Sequence, residues 1–283
     1  MGGKLDTRAI GLDGGLHFIR WLTGEENLHY GFWDGLEVNA GNLAAAQNAY
    51  TELLFSYLPK GKLRILDIGG GAGETARKLV ALGHDVQIVV PSPLFASRCR
   101  ENAPGAQVHL CKFEDFQTQD RFDLCLFSES FQYIPLAVSL SRALELLDEG
   151  GEILLADCFR TPAFKGTAKG AVVGGGHPFV EFEKELARQP VQVLAERDIT
   201  QAVAPSIDLE QGLFNVLGHV ASQLDGELAD KRGKSHWLLH RLINLAMSKR
   251  RREKLAVRLM EKTRTAEAFC TYNTYRIVRL GRT

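Results

Sequence analysis

Ile65-Leu66-Asp67-Ile68-Gly69-Gly70-Gly71-Ala72-Gly73-Glu74-Thr75 sets a short apolar run, a glycine cluster and the start of an amphipathic stretch side by side. Glycines between a strand and a helix let the backbone turn tightly and approach a ligand, and the helix N-terminus offers unpaired N–H groups to it. A nucleotide-type ligand at the carboxyl end of the strand is the natural reading. The spacing narrows the choice. A dinucleotide fingerprint needs G-x-G-x-x-G, but the sixth position counted from Gly69 is Glu74 and from Gly71 is Ala76, and the G-K-S/T of a phosphate loop is absent. What stands here is G-x-G-x-G preceded by an acid.

Outward from this loop, apolar runs recur at Leu63 to Ile68, Val86 to Val90, Gln107 to Cys111, Phe122 to Phe127 and Glu152 to Ala156. Helical periodicity fills the gaps at about Glu74 to Leu82, Pro93 to Asn102 and Leu136 to Leu147. Apolar strands alternating with helices predict an α/β fold, a largely parallel sheet with helices on both faces. Residues 1–60 form an N-terminal covering segment whose helix runs from about Gly41 to Leu58. Residues 61–205 and 265–283 form the core, closed by an alternating strand at Thr271 to Leu280. Residues 206–264 read as an inserted set of two or three helices.

The composition excludes several classes. The 283 residues carry 34 basic and 34 acidic side chains and are 45% hydrophobic, which describes a folded globular chain without the basic surface that nucleic acid demands. No apolar stretch approaches a membrane span and residues 1–20 lack a secretory pattern, so a cytoplasmic location is expected. Five scattered cysteines without a CxxC pair predict reduced, mostly buried thiols, and no metal-ligand spacing is recognised, so no metal is expected.

The glycine loop with Asp67 resembles motif I of the class I methyltransferases that use S-adenosylmethionine. Phe122-Asp123-Leu124-Cys125-Leu126-Phe127-Ser128-Glu129 resembles that family's fourth strand, and Leu147 to Asp157 resembles its L-x-x-G-G turn and fifth strand. The resemblance spans most of residues 62–160 and implies a Rossmann-like seven-stranded sheet. It also implies S-adenosylmethionine as cofactor and S-adenosylhomocysteine as product. Leu28-His29-Tyr30-Gly31-Phe32-Trp33 is similar to the HYGxW segment of a subset that includes cyclopropane fatty acid synthases and tocopherol, sterol and natural-product methyltransferases.

Carried onto this chain, the resemblance assigns cofactor contacts to Gly69, Gly70, Gly71, Gly73 and Ser128, with Asp67 facing the ammonium. Tyr30 and Trp33 would present aromatic faces to a sulfonium, which a ring can contact without offering a lone pair; alternatively they staple the segment to the domain. The pattern breaks at the second strand, where Val90 occupies the place of the acid that binds the ribose hydroxyls and Ser92 is left to substitute. Lys112 aligns with the adenine-binding acid, leaving Phe113, Glu114 and Asp115 to line that side.

Candidate acceptor-side groups are His17, His29, Tyr30, Glu129, Gln132, Tyr133 and His177, with Glu129 as substrate contact or base or else a structural carboxylate, and His177 on a loop that caps the pocket or else is solvated. Apolar positions in the inserted helices, among them Leu213, Phe214, Leu217, Trp237 and Leu242, fit a lid over a hydrophobic acceptor. The cluster Lys249, Arg250, Arg251 and Arg252 reads as a solvated face, or as a contact for an anionic lipid surface or an acidic carrier protein. A homodimer is left open. The expected activity is methyl transfer to a hydrophobic lipid-like or secondary-metabolite acceptor, oxygen favoured. The rivals are C-methylation, cyclopropanation or a modified cofactor on the same scaffold, and a non-catalytic cofactor-binding partner subunit; a nicotinamide dehydrogenase is disfavoured by the glycine spacing.

Overall fold

Why the sheet forms is visible in its central strands, β1 (Arg64–Ile68), β4 (Phe122–Ser128) and β5 (Leu147–Arg160), whose apolar residues are buried on both faces. The computed structural model describes residues 7–166, 173–260 and 264–283. With β2 (Asp85–Val90), β3 (Gln107–Leu110), β6 (Val191–Asp198) and β7 (Asn273–Arg282), these strands make one seven-stranded sheet in the order β3-β2-β1-β4-β5-β7-β6. The first five are parallel, and β7 runs antiparallel between β5 and β6. The strand order reverses between β1 and β4, which opens a crevice at their carboxyl ends.

Alternation along the strands separates two cores. Ile65, Ile88, Leu124, Leu126, Leu154 and Ile277 face one side, where α2 (Leu43–Phe55) and α3 (Glu74–Ala81) pack through Tyr50, Leu54, Ala76 and Leu79. Leu66, Val89, Phe127, Leu155 and Val278 face the other, covered by α5 (Leu136–Leu146) and α6 (Phe179–Leu186). On this second face Phe131 is fully buried and meets Phe127, Phe182 and His177 edge-on. Cys99, Cys125 and Cys158 are buried free thiols, and Cys111 and Cys270 are half-buried.

The N-terminal segment holds a helix that the glycine-rich composition conceals, α1 (Thr7–Thr23). Its Leu16 packs on Ala72 of the glycine loop and on Phe95 of α4 (Pro93–Asn102). Buried Glu26 follows, ion-paired with Arg98 of α4 and with Arg20 of α1, and accepts a hydrogen bond from Asn102 Nδ2 at 2.8 Å. These contacts lay residues 24–30 along the glycine loop.

After β6 come a short helix α7 (Thr200–Val203) and α8 (Pro205–Lys231), then α9 (Gly233–Ala246), α10 (Lys249–Met260) and α11 (Ala266–Tyr272). Gly218 of α8 lets the Leu259 carbonyl of α10 lie directly against the helix. Among the described residues, no helix is long and apolar enough to cross a membrane.

Truncating the centre of the aromatic cluster tests the packing: Phe131→Ala is expected to cost about 3–5 kcal/mol by urea unfolding, and a loss below about 1 kcal/mol would contradict this account of the core.

Candidate active site

The crevice between β1 and β4 is a cavity of about 540 Å³ lined by the glycine loop, the end of β2, the segment after β3, the end of β4 and residues 26–29. Asp67 sits at its floor, 1% exposed, and its Oδ2 has no hydrogen-bond partner. Burial pushes its carboxyl up to about 7. A Cβ at Gly70 would stand 2.5 Å from that oxygen; only glycine keeps this approach to the carboxylate open.

Glu129 follows the last residue of β4 and adopts the left-handed region at φ 57, unusual for a residue with a side chain. Such a conformation persists where surrounding contacts hold it. Its own N–H donates to the Ala156 carbonyl at 2.9 Å, and its Oε1 accepts from the Tyr30 backbone N–H at 2.8 Å and the Tyr275 hydroxyl at 2.9 Å. Tyr275 also bonds the Tyr50 hydroxyl at 2.8 Å, which lies 3.4 Å from Ser128 Oγ. Burial is the larger influence and raises the Glu129 carboxyl to about 8, with the two donors opposing and the nearby Asp157 adding to it. Asp157, buried on β5 and raised to about 7 by the same cause, is held by the Gln132 and Cys158 backbone N–H groups and by Gln132 Nε2.

Several expected residues line this cavity: Asp67, Gly69, Gly70, Gly71, Val90, Ser92, Phe113, Glu114, Ser128, Glu129, His29 and Tyr133. Lys112 lines it too, and the buried Ser92 Oγ has no partner. His29 touches the cavity but is built as a neutral scaffold group. Its Nδ1 donates to the Tyr30 carbonyl at 2.9 Å, its Nε2 faces Thr51 Oγ1 at 3.3 Å, and its ring stacks on Tyr50. Burial lowers its pKa to about 4, so the ring is neutral and held by these contacts.

Other expectations are corrected. Trp33, 4% exposed, turns away from the glycine loop and donates from Nε1 to Ser206 Oγ at 2.8 Å. With Asp34 it lines a separate groove of about 710 Å³ that includes Arg197, Thr200 and Arg276 and no residue of the glycine loop. The Tyr30 ring is packed on Phe269 and Tyr275, outside the cavity lining, and the residue acts on the site through its backbone N–H. Gly73, at φ 92, serves helix packing, since a Cβ there would meet the Cys99 backbone at 2.9 Å.

Asp115 is exposed and away from the cavity. His177 bonds the Ile134 carbonyl through Nε2 at 2.8 Å, and its own carbonyl accepts from the Arg160 N–H; it pins a loop and lines neither concavity. His17 is on the exposed face of α1, 3.6 Å from Asp13. No residue of α8–α10 lines the cavity, and their apolar residues Val220, Leu224, Trp237 and Leu242 are exposed.

Sequence reasoning missed Tyr275 and Tyr50, because nothing in a strand or helix pattern marks which hydroxyl will meet a carboxylate from a distant segment. It also passed over a set that spacing does signal: His236 and His240, four residues apart, meet Asp225 of α8.

Residues 65–151 match a family model described as a methyltransferase domain. Among solved structures, the chain is similar to a geranyl diphosphate C-methyltransferase from Streptomyces coelicolor A3(2), crystallised with magnesium, geranyl-S-thiolodiphosphate and S-adenosyl-L-homocysteine. Identity is 15%, the TM-score is 0.65, and the match covers 94% of this chain and 92% of that one. It is also similar to a cyclopropane synthase from Mycobacterium tuberculosis at 17% identity, TM-score 0.68, covering 96% of this chain and 95% of that one. At these identities the likeness shows the fold.

An unpartnered buried acid sets the pH response of the cavity. Below about pH 7 Asp67 is the neutral acid; above it the carboxylate attracts a cation. A ligand bearing an ammonium is expected to bind more tightly as pH rises from about 6 to about 8 and to release protons on binding, measured by calorimetry in buffers of different ionisation heat. In Asp67→Asn the pH dependence is expected to weaken and its remainder to move toward about pH 8, where Glu129 titrates; an unchanged profile would show that Asp67 does not face the ligand.

Proposed function

We propose that this chain, whose residues 65–151 match a methyltransferase domain model, is an S-adenosylmethionine-dependent methyltransferase that transfers the methyl group to a hydrophobic small molecule whose proton is taken up by Glu129. The observation that carries the reading is the concentration of buried, poorly compensated carboxylates in one crevice. Their natural occupant is a cation.

The residues present fit the cofactor. Asp67 Oδ2 is free to accept from its ammonium, Gly69–Gly71 admit close approach of its methionine half, and Ser92 Oγ is free to bond a ribose hydroxyl. Phe113, half-buried Glu114 and Lys112 border the same cavity, where the adenine would be held. Bound there, S-adenosylmethionine supplies a methyl group already activated by positive sulfur.

The protein's own part is alignment, exclusion of water and proton uptake. Tyr30 N–H and Tyr275 O–H hold one oxygen of Glu129 and leave the carboxyl at the cavity wall. A group whose pKa lies near 8 suits uptake of a proton from an acceptor near neutral pH. An enol or phenol oxygen fits this arrangement. An alkene carbon that loses a proton after methyl attachment fits it as well, and the similar C-methyltransferase and cyclopropane synthase favour that second reading.

Leu28, Phe95, Tyr133 and Ile134 give the cavity an apolar side for such an acceptor. The exposed apolar residues of α8 and α9, together with exposed Lys249, Arg250 and Arg251 of α10, suit collection of the acceptor from an anionic lipid surface. Arg252 is engaged with Asn244.

Two variants test the reading. Glu129→Gln is expected to lower kcat by about 10²–10⁴ and to abolish a rise in kcat through about pH 8, while cofactor affinity stays within a few-fold; full activity in a folded variant would remove Glu129 from the chemistry. Val90→Asp restores a carboxylate where Ser92 now stands alone. It is expected to tighten S-adenosylmethionine binding by about tenfold, the effect of roughly one charge-assisted hydrogen bond, and no gain in calorimetry would contradict a ribose at this position.

A further inference from the structure

Asp225 lies on α8 two turns before its end, and α9 folds back against α8 after Arg232. A spacing of four places His236 and His240 on one face of α9. Both imidazoles direct Nε2 at the same carboxylate oxygen, Asp225 Oδ1, at 3.0 Å and 2.7 Å, and their ring centroids are 4.3 Å apart. Among the described residues, no other three ligand-bearing side chains of this kind converge as closely.

From this convergence we infer that Asp225, His236 and His240 form a binding site for a divalent transition-metal ion of the zinc type, clamping α8 to α9. The donor set is two imidazole nitrogens and one carboxylate oxygen, which suits zinc, cobalt or nickel and disfavours magnesium and calcium. A tetrahedral ion with bonds of about 2.0–2.1 Å spaces its ligand atoms about 3.3 Å apart. The two nitrogens, at 3.0 Å and 2.7 Å from Asp225 Oδ1, stand roughly 0.3 and 0.6 Å inside that spacing, so a small outward shift of these partly exposed side chains admits the ion.

Without metal, each imidazole donates its Nε2 hydrogen to Asp225. With metal, the Nε2 lone pairs face the ion and each neutral ring carries its hydrogen on Nδ1, with water completing the coordination. All three residues lie on a partly exposed surface, at side-chain exposures of 52%, 27% and 48%, so an ion enters from solvent without rearrangement of a core.

The consequence is mechanical. α9 buries no side chain completely, and Trp237, Leu242 and Leu245 on it are exposed. A metal bridge between α8 and α9 supplies the fixed crossing that packing leaves weak, much as a bound ion stabilises whichever state it binds.

Untagged, chelator-treated protein titrated with cobalt(II) tests this, because cobalt bound by nitrogen and oxygen ligands in a low-coordinate site absorbs in the visible. One equivalent is expected to bind, with the absorption removed by added zinc(II), and with weakening by more than about 100-fold in His236→Ala/His240→Ala. Absence of the band at excess cobalt, or an unchanged titration in the double variant, would overturn the site. Binding of S-adenosylmethionine is expected to be the same in this variant and the parent, since none of the three residues lines the crevice. Failure of the metal site and failure of the proposed methyl transfer are thus separate results.

Discussion

Carboxyl groups held out of water, with their charged forms penalised by burial, are the constraint around which this molecule is arranged. Asp67, Glu129 and Asp157 stand at or just beyond the carboxyl-terminal halves of three adjacent strands, and desolvation is the largest influence on each. For Asp67 the rise from 3.8 to about 7 corresponds to about 4 kcal/mol against the charged form. An apolar side chain at position 67 would avoid that cost. A cationic ligand at the unbonded oxygen, beside the glycine loop, would recover the lost solvation. The remaining parts serve this arrangement: the strand reversal opens the crevice, Gly70 keeps the carboxylate reachable, and Tyr30 and Tyr275 hold Glu129 in a strained backbone conformation at its wall.

The N-terminal segment is the second structural commitment. Glu26 is buried among Arg98, Arg20 and Asn102, so the strap carrying His29 and Tyr30 is tied to the same α4 that follows β2. Breaking a buried pair of this kind leaves an uncompensated charge, which is why such ties fix geometry strongly. Tyr30 reaches the site by its backbone and His29 by its neutral ring. The Tyr30 and Trp33 rings lie outside the crevice lining, and the segment meets Glu129 through the Tyr30 N–H.

Legibility followed the range of the forces involved. Strands β1 to β5 and the helices between them are local, periodic and flanked by glycine turns, and the apolar runs placed them within a few residues. Motif I marked Asp67 and the cavity floor because glycine spacing and the acid are adjacent in the chain. α1 stayed hidden because three glycines between Gly11 and Gly15 lower helix propensity, and its stability comes from Leu16 docking on Ala72 and Phe95. Trp33 went astray because an indole N–H seeks a partner when buried, and Ser206, far along the chain, supplies it. The Tyr50–Tyr275–Glu129 network joins residues up to 225 positions apart, a distance at which pattern carries no information.

The proposed occupant of the crevice between β1 and β4 is S-adenosylmethionine. Isothermal titration of the intact protein with S-adenosylmethionine and with S-adenosylhomocysteine, with NADH as control, addresses it most directly. Saturable one-to-one binding of the first two at micromolar concentrations, and none of NADH, is expected. Binding of neither S-adenosyl compound by the folded protein would contradict it.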